Sequence, residues 1–438
     1  MILIKNGNLI DPAGGISGLY DILTDGDRIA MVGACGSLDD VAAEAAIYGA
    51  DEVTGKAEVT EIDATGCVVA PGLVDCHVHF RDPGFTYKED IDTGAKAAAK
   101  GGFTTVVMMG NTNPHPDNVD TIKDMIERGA KTGIKVLCCG NVTRNMAGKE
   151  LVDMKALAEA GAVLFTDDGV PVLNEKLMEK ACEEARDLGM LISLHEEDPQ
   201  FIAENGINAG EVAETLGIRG SHRNAEISMV DRDIKIAEKT GAGIVVQHIS
   251  TAGAVDMIRE AKKRGVKVFA EATPHHFTLT EEAVLKYGAL AKMNPPLRRE
   301  SDRQAIIAGL KDGTIEMIAT DHAPHSREEK GKELTKAPSG ITGLETSLSL
   351  GIRELVKPGF LTMAELIARM SCCPAAVYGL DAGYIRQGGP ADLVIFNPDE
   401  EWSFVSSVSK SSNTPFLGER LPGKVHFTIC CGNIVYRG

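Results

Sequence analysis

His77 and His79 stand two residues apart at the end of an apolar run, VVAPGLVDCHVHF (Val68 to Phe80). If that run is a strand, its period of two turns both imidazoles to one face, which is what a single metal ion needs. Comparable runs are closed by Asp167-Asp168 after AVLF, His195 after MLISL, His248 after GIVVQ and Asp321 after EMIAT. Singly, each has an ordinary reading: a lone imidazole is usually a hydrogen-bonded core or surface group, and Asp-Asp-Gly is usually a turn. Together, four histidines and two or more carboxylates from five strand ends exceed the usual complement of one metal. They point to a binuclear centre with a bridging carboxylate, Asp167 or Asp168, of the kind that activates water for hydrolysis. His115, His222 and His426 fall at no strand end and read as surface or structural residues. His275 and His276 end the run KVFAEATPHH and are expected at most to line the site.

Residues so placed need a scaffold that gathers several strand ends. With FTTVVMMGN, KVLCCGNV and KVFAEATPHH the runs number eight, and helical stretches separate them. Continuous apolar runs mark strands buried on both faces, and their alternation with helices marks βα units. Gly101-Gly102, Gly161, Gly189, Gly241/Gly243 and Gly265 punctuate the helix-to-strand turns, where a left-handed residue is useful. Eight units over about 300 residues are the arithmetic of a (β/α)8 TIM-like barrel, whose catalytic face is the C-terminal end of its strands. An open doubly wound sheet is the rival, but no G-x-G-x-x-G follows any run.

The two ends of the chain differ from this middle. YDILTDGDRIAMV (Tyr20 to Val32) is two apolar runs around Asp25-Gly26, a type I′ hairpin signal, and VHFTICCGNIVYRG places Gly432-Asn433 at its turn. A small β-sandwich assembled from both termini is therefore expected, residues 1–70 and 376–438, flanking a catalytic α/β barrel at 71–375. The 438 residues carry 45 Lys and Arg against 63 Asp and Glu, a formal charge of −18, which argues against nucleic-acid and anionic-membrane partners. No apolar run approaches the ~18 residues of a membrane span, and MILIKNGNLIDP shows no h-region followed by a cleavage site, so no export signal is expected. Ten cysteines without a C-x-x-C are expected to be reduced thiols in a cytoplasmic protein.

VDCHVHFRDPG (Val74 to Gly84) resembles the first-strand signature of the amidohydrolase superfamily in its class I dihydroorotase form. GNTNP (Gly110 to Pro114), TDDG (Thr166 to Gly169), KMNPPLR (Lys292 to Arg298), ATDHAPH (Ala319 to His325) and GLET (Gly343 to Thr346) extend the resemblance over essentially the whole chain. It implies a zinc-dependent, reversible cyclisation of N-carbamoyl-L-aspartate to L-dihydroorotate with loss of water, the third step of de novo pyrimidine (UMP) biosynthesis. Two zinc ions are implied, one held by His77, His79 and Asp321 and the other by His195 and His248, with Asp168 bridging and Asp167 the alternative. Asp321 would also carry the proton between water and the departing nitrogen. The substrate, a small molecule, would meet His79 beside the metals. Its carboxylate would meet Arg81, Asn111, Asn294 and His325, and its ring the backbone at Ser339-Gly340, where relatives often carry Phe-Gly. An arginine makes independent sense there, because a guanidinium fork matches a carboxylate and offsets the acidic background.

Hydantoinases and allantoinases resemble the chain in fold but bridge their metals with a carboxylated lysine on strand four, and AVLFTDDG has no lysine. A non-catalytic partner of aspartate carbamoyltransferase would be expected to have lost ligands, and none is missing here. A homodimer and an active enzyme associated with that transcarbamoylase both stay open. Ser326 to Gly340, SREEKGKELTKAPSG, leaves strand eight between two expected substrate contacts. It is long for a barrel loop and shows no apolar face, so a mobile lid is expected.

Overall fold

The computed structural model describes residues 1–41 and 59–438, and the stretch 42–58 of the expected strand-rich N-terminal segment lies outside the described residues. Leu73–Val78, Phe103–Met108 and Lys135–Cys138 pair in parallel as one sheet. Ile192–Leu194, Ile244–Val246, Val268–Ala272 and Met317–Ile318 form a second. Phe165 bridges to Gly140 and to Ile192, and Val78 bridges to His322, which joins both sheets into a closed parallel barrel of eight members. The fourth member is reduced to that bridge at Phe165. The carboxylate of Asp167 accepts the Val142 and Thr143 N–H groups at 2.9 and 3.2 Å, groups a longer ladder would have used. Inside the barrel the Asp75 carboxylate accepts from the N–H groups of His77 and Thr320, tying strand one to strand eight. Its burial pushes it up to about 7.

The helices pack on the outside through small and aliphatic faces. The helix Ile91–Lys100 starts at a capping box of Asp90 and Thr93 and buries Ile91, Ala95, Ala97, Ala98 and Ala99. Gly161 and Gly241 end their helices at φ 114° and 73°, the left-handed use expected of them. Gly101 instead has φ −78°, and what requires glycine there is closeness, since a Cβ would stand 2.2 Å from the Leu344 carbonyl oxygen.

Eight strands drawn from both ends of the chain form one mixed sheet. The first, Ile2–Asp11, pairs in parallel with Thr60–Asp63 and then Val68–Pro71, and the latter pairs antiparallel with Leu393–Ser403, joining the N- and C-terminal contributions. The sheet folds over Ile4, Leu9, Ile22, Ile29, Val69, Leu393, Ile395 and Ile429, the small sandwich expected from both termini. Its hairpin turns each sit one residue from the expected place. Asp25 pairs with Arg28, so the turn is Gly26-Asp27 with φ positive at Gly26 alone, the type II′ pattern. Cys430 pairs with Asn433, so the second turn is Cys431-Gly432, both residues at positive φ as type I′ requires. Strand register decides both, because a one-residue slip would turn Ile22, Ile29 and Ile429 out of the core. Between Ser403 and Arg420 the chain leaves this sheet and lies against the barrel, burying Phe404 and Phe416. No helix among the described residues is long and apolar enough to cross a membrane.

Candidate metal centre and substrate cavity

The C-terminal ends of the barrel strands surround a cavity of about 230 Å³ lined by His79, Arg81, Asn111, Asp168, His195, His248, Asn294, Asp321, His325, Ser339 and Gly340. His77 stands behind this lining, its Nε2 3.4 Å from Asp168 Oδ1 and 3.5 Å from Asp321 Oδ1. Every residue singled out in the sequence for ligation or substrate contact, except the alternative bridging candidate Asp167, is thus brought to one place. Three of them, Arg81, His248 and Asp321, hold φ of 59°, 31° and 46°. Non-glycine residues in the left-handed region cost of order 1–3 kcal/mol each and persist where the surrounding structure fixes them. Here that geometry lies at the ends of strands one, six and eight.

Two groups of three share one carboxylate. Ligand atoms of His77, His79 and Asp168 lie within 4.8 Å of one another, and so do those of Asp168, His195 and His248. His79 Nε2 is also 2.9 Å from Asp321 Oδ1. His195 Nδ1 meets His248 Nε2 at 2.9 Å, and both lie under 4 Å from Asp168 Oδ1, at 3.7 and 3.8 Å. Asp167 points away to the Val142-Thr143 backbone, so Asp168 is the member of the pair that faces the histidines. The second nitrogen of three rings is engaged: His77 Nδ1 by Glu271 at 2.5 Å, His79 Nδ1 by Asn111 at 2.8 Å and His195 Nε2 by Glu197 at 3.2 Å. Such partners fix ring orientation and tautomer in metal sites. His77 Nε2, by contrast, is buried without a hydrogen-bond partner while it faces two carboxylates. Imidazole nitrogens and carboxylate oxygens in this arrangement fit a metal ion of the zinc type.

The charges agree. Burial alone would raise Asp321, but the His79 hydrogen bond and the nearby His77 and His248 hold its carboxyl well below the usual range. Asp168 is depressed against its own burial chiefly by His77 and His248. Also against burial, Glu271 and Asp168 push His77 well above the ordinary imidazole value. These carboxylates call for positive charge among them, which a bound cation would supply.

In the same cavity, Arg81 donates from Nε to the Pro324 carbonyl, from one terminal nitrogen to Asn111 Oδ1 at 3.4 Å, and from the other to His325 Nε2 at 3.5 Å. Among the described residues it is the one Lys or Arg that lines the cavity. Burial, together with Arg81, Lys88 and Lys330, pushes His325 down to about 2, so its imidazole is neutral. At the rim, Ser339 Oγ donates to Asn205 Oδ1 at 2.7 Å, Asn205 Nδ2 to Asn294 Oδ1 at 2.9 Å, and Asn294 Nδ2 lies 3.3 Å from His195 Nε2. Asn205 and Glu271 were missed in the sequence. Asn205 has no signal there, whereas Glu271 has one, a carboxylate inside the buried run VFAEA.

Ser326 to Gly340 does not lack internal structure. A capping box of Ser326 and Glu329 opens a short helix, Arg327–Lys330. Lys292 Nζ donates to the Leu334 and Ala337 carbonyls, and Lys330 Nζ to those of Pro338 and Gly340, so two lysines staple the loop from beneath. His275 and His276 are buried in the helix Pro274–Thr278 and do not line the cavity. His115 bonds the Gly110 carbonyl, His222 accepts the Asn224 N–H, and His426 bonds Glu400. His322, beside Asp321, is occupied with Glu89 and the Gly343 N–H.

A family model described as Dihydro-orotase-like matches residues 66–254. The chain is 53% identical over 436 residues to the dihydroorotase of Clostridioides difficile, covering 100% of both chains. It is 48% identical to that of Clostridium acetobutylicum, covering 100% of this chain and 99% of the relative. Among solved structures, an L-hydantoinase from Arthrobacter aurescens superposes with a TM-score of 0.85 at 24% identity, over 100% of this chain and 96% of that one. A D-hydantoinase from Thermus sp. gives 0.82 at 23%, over 100% and 95%. These structural likenesses bear on the fold, while identity along the full length bears on the family. The chain belongs to the dihydroorotase family of cyclic amidohydrolases.

Proposed function

We propose that the chain is a zinc-dependent dihydroorotase that interconverts N-carbamoyl-L-aspartate and L-dihydroorotate in pyrimidine biosynthesis. The observation that carries this reading is a guanidinium, Arg81, lining the same small cavity as the histidine and carboxylate cluster and sharing Asn111 Oδ1 with His79. A substrate that fills the cavity must offer a hydrolysable group to the cluster and an anion to Arg81. Dihydroorotate offers both, as a ring amide and a carboxylate.

In this reading His77, His79 and Asp321 would hold one zinc ion, His195 and His248 a second, and Asp168 would serve both. Zinc bound there polarises a carbonyl and lowers the pKa of water toward neutrality. Arg81 and Asn111 bind the substrate carboxylate, with Asn294 and His325 beside them, and the Ser339-Gly340 backbone borders the ring. In hydrolysis Asp321 takes the proton from the attacking water and hands it to the ring nitrogen as the C–N bond breaks. In cyclisation it takes the proton from the carbamoyl nitrogen as that nitrogen attacks the side-chain carboxyl, and returns it to the oxygen that leaves as water.

The test is kcat/KM for L-dihydroorotate beside dihydrouracil, hydantoin and allantoin. Dihydroorotate is expected to exceed dihydrouracil, the same ring without the carboxylate, by roughly 10²-fold or more, because a polar site left unpaired rejects such an analogue. Comparable values would overturn the reading. A second expectation separates this centre from one bridged by a carboxylated lysine. No lysine among the described residues lines the cavity, so zinc should restore the metal-stripped protein equally with and without bicarbonate. Strong dependence on bicarbonate in an activity assay of the reconstituted protein would contradict Asp168 as the shared ligand. The same reading carries a cytoplasmic location and leaves a homodimer and association with aspartate carbamoyltransferase as open alternatives. Solution molar mass, measured alone and with the transcarbamoylase, checks the last two.

A further inference from the structure

Asn413 belongs by sequence to the excursion of the terminal sheet between Ser403 and Arg420, yet its side chain is buried at the catalytic end of the barrel, 3% exposed. Its Oδ1 accepts the His325 N–H at 3.0 Å, and its Nδ2 donates to the Ala323 carbonyl at 3.0 Å and the Gly340 carbonyl at 3.1 Å. Its own carbonyl accepts the Thr342 N–H at 3.2 Å. These partners are the two feet of the long loop after strand eight, where the Ala323 N–H also donates to the Ile341 carbonyl at 2.7 Å. The Gly340 carbonyl is held from a second side by Lys330 Nζ at 3.0 Å. There is no slack at this point. Gly340 has φ 128°, and a Cβ on it would stand 2.8 Å from Ala323 Cβ and 3.2 Å from His325 Nε2.

We infer that Asn413, acting with Lys330, is a positioning residue that sets substrate affinity, because it locks the His325 and Gly340 ends of the loop in register with Arg81. The inference rests on the reading of this cavity as a carboxylate site. Its physical basis is that the His325 ring reaches Arg81 at 3.5 Å while the His325 backbone is pinned by Asn413. Removing the Asn413 amide leaves the His325 N–H and the Ala323 carbonyl buried and unpaired and the Gly340 carbonyl held by Lys330 alone, which the loop relieves by moving. None of the Asn413 bonds reaches His77, His79, Asp168, His195 or His248. The loss should therefore fall on binding rather than on the chemical step.

The experiment is steady-state kinetics on L-dihydroorotate for the wild type, Asn413→Ala, Lys330→Met and the double variant, with metal content and melting temperature measured on each. Each single variant is expected to raise KM about tenfold with kcat within about threefold, the pattern of lost uniform binding, and with metal per chain unchanged. Because both side chains act through the Gly340 carbonyl, the double variant should raise KM by less than the product of the singles. A merely structural role would lower the folded fraction, and with it apparent kcat, at constant KM. That result, or KM unchanged in folded variants, overturns the inference. Should Asn413→Ala fail to fold, Lys330→Met, which keeps a stem of similar volume, decides the matter on the same criterion. A wild type inactive on dihydroorotate would indict the proposed function, whereas an active wild type with unaltered KM in the variants indicts the loop.

Discussion

Replacing Asp321 by asparagine should lower kcat by more than about 10⁴-fold while far-UV circular dichroism stays unchanged. Loss of a general acid–base group alone costs typically about 10²–10⁴-fold. Asp321 carries a second burden, since its Oδ1 lies 2.9 Å from His79 Nε2 and 3.5 Å from His77 Nε2, among the atoms that would hold the metal. Asparagine keeps the volume and removes the charge, so the barrel end is preserved while both roles are lost. A folded Asp321→Asn enzyme within about tenfold of the wild type would show that another group carries the proton.

Arg81→Lys should lower kcat/KM for dihydroorotate by roughly 10²-fold, even though the charge is kept, because displacement of a positioning contact by about 1 Å is enough for such a loss. The guanidinium is held on three sides, by the Pro324 carbonyl, Asn111 and His325. A lysine ammonium is a point charge that cannot reproduce the planar fork. Residual turnover of dihydrouracil, which has no carboxylate to clamp, should be nearly insensitive to the same change. Equal losses on both substrates would mean that Arg81 supports the cavity wall rather than the anion. Near-normal turnover of dihydroorotate by Arg81→Lys would remove it from recognition altogether.

The barrel was legible in the sequence because its eight runs are buried on both faces and so read as continuous apolar stretches, and because chemistry on this fold lies at strand ends. The same logic could not separate Asp167 from Asp168. Both close the same run, and the choice depends on where the Val142 and Thr143 N–H groups lie in space. Hairpin dipeptides placed each turn to within one residue, and the inward faces of the paired strands fixed the rest. The loop from Ser326 to Gly340 looked unsupported because what supports it is buried polar contact: two lysine side chains on backbone carbonyls and an asparagine some 70 to 90 positions downstream. Hydropathy and periodicity carry no trace of such contacts.

The most direct test of the account follows the approach to equilibrium from N-carbamoyl-L-aspartate and from L-dihydroorotate on one purified sample, with metal per chain quantified before and after chelation. Both directions should reach the same product ratio, chelation should abolish both in step with metal loss, and zinc should restore both. Turnover that survives removal of the metal, or a metal-loaded protein inert toward both compounds, would contradict it.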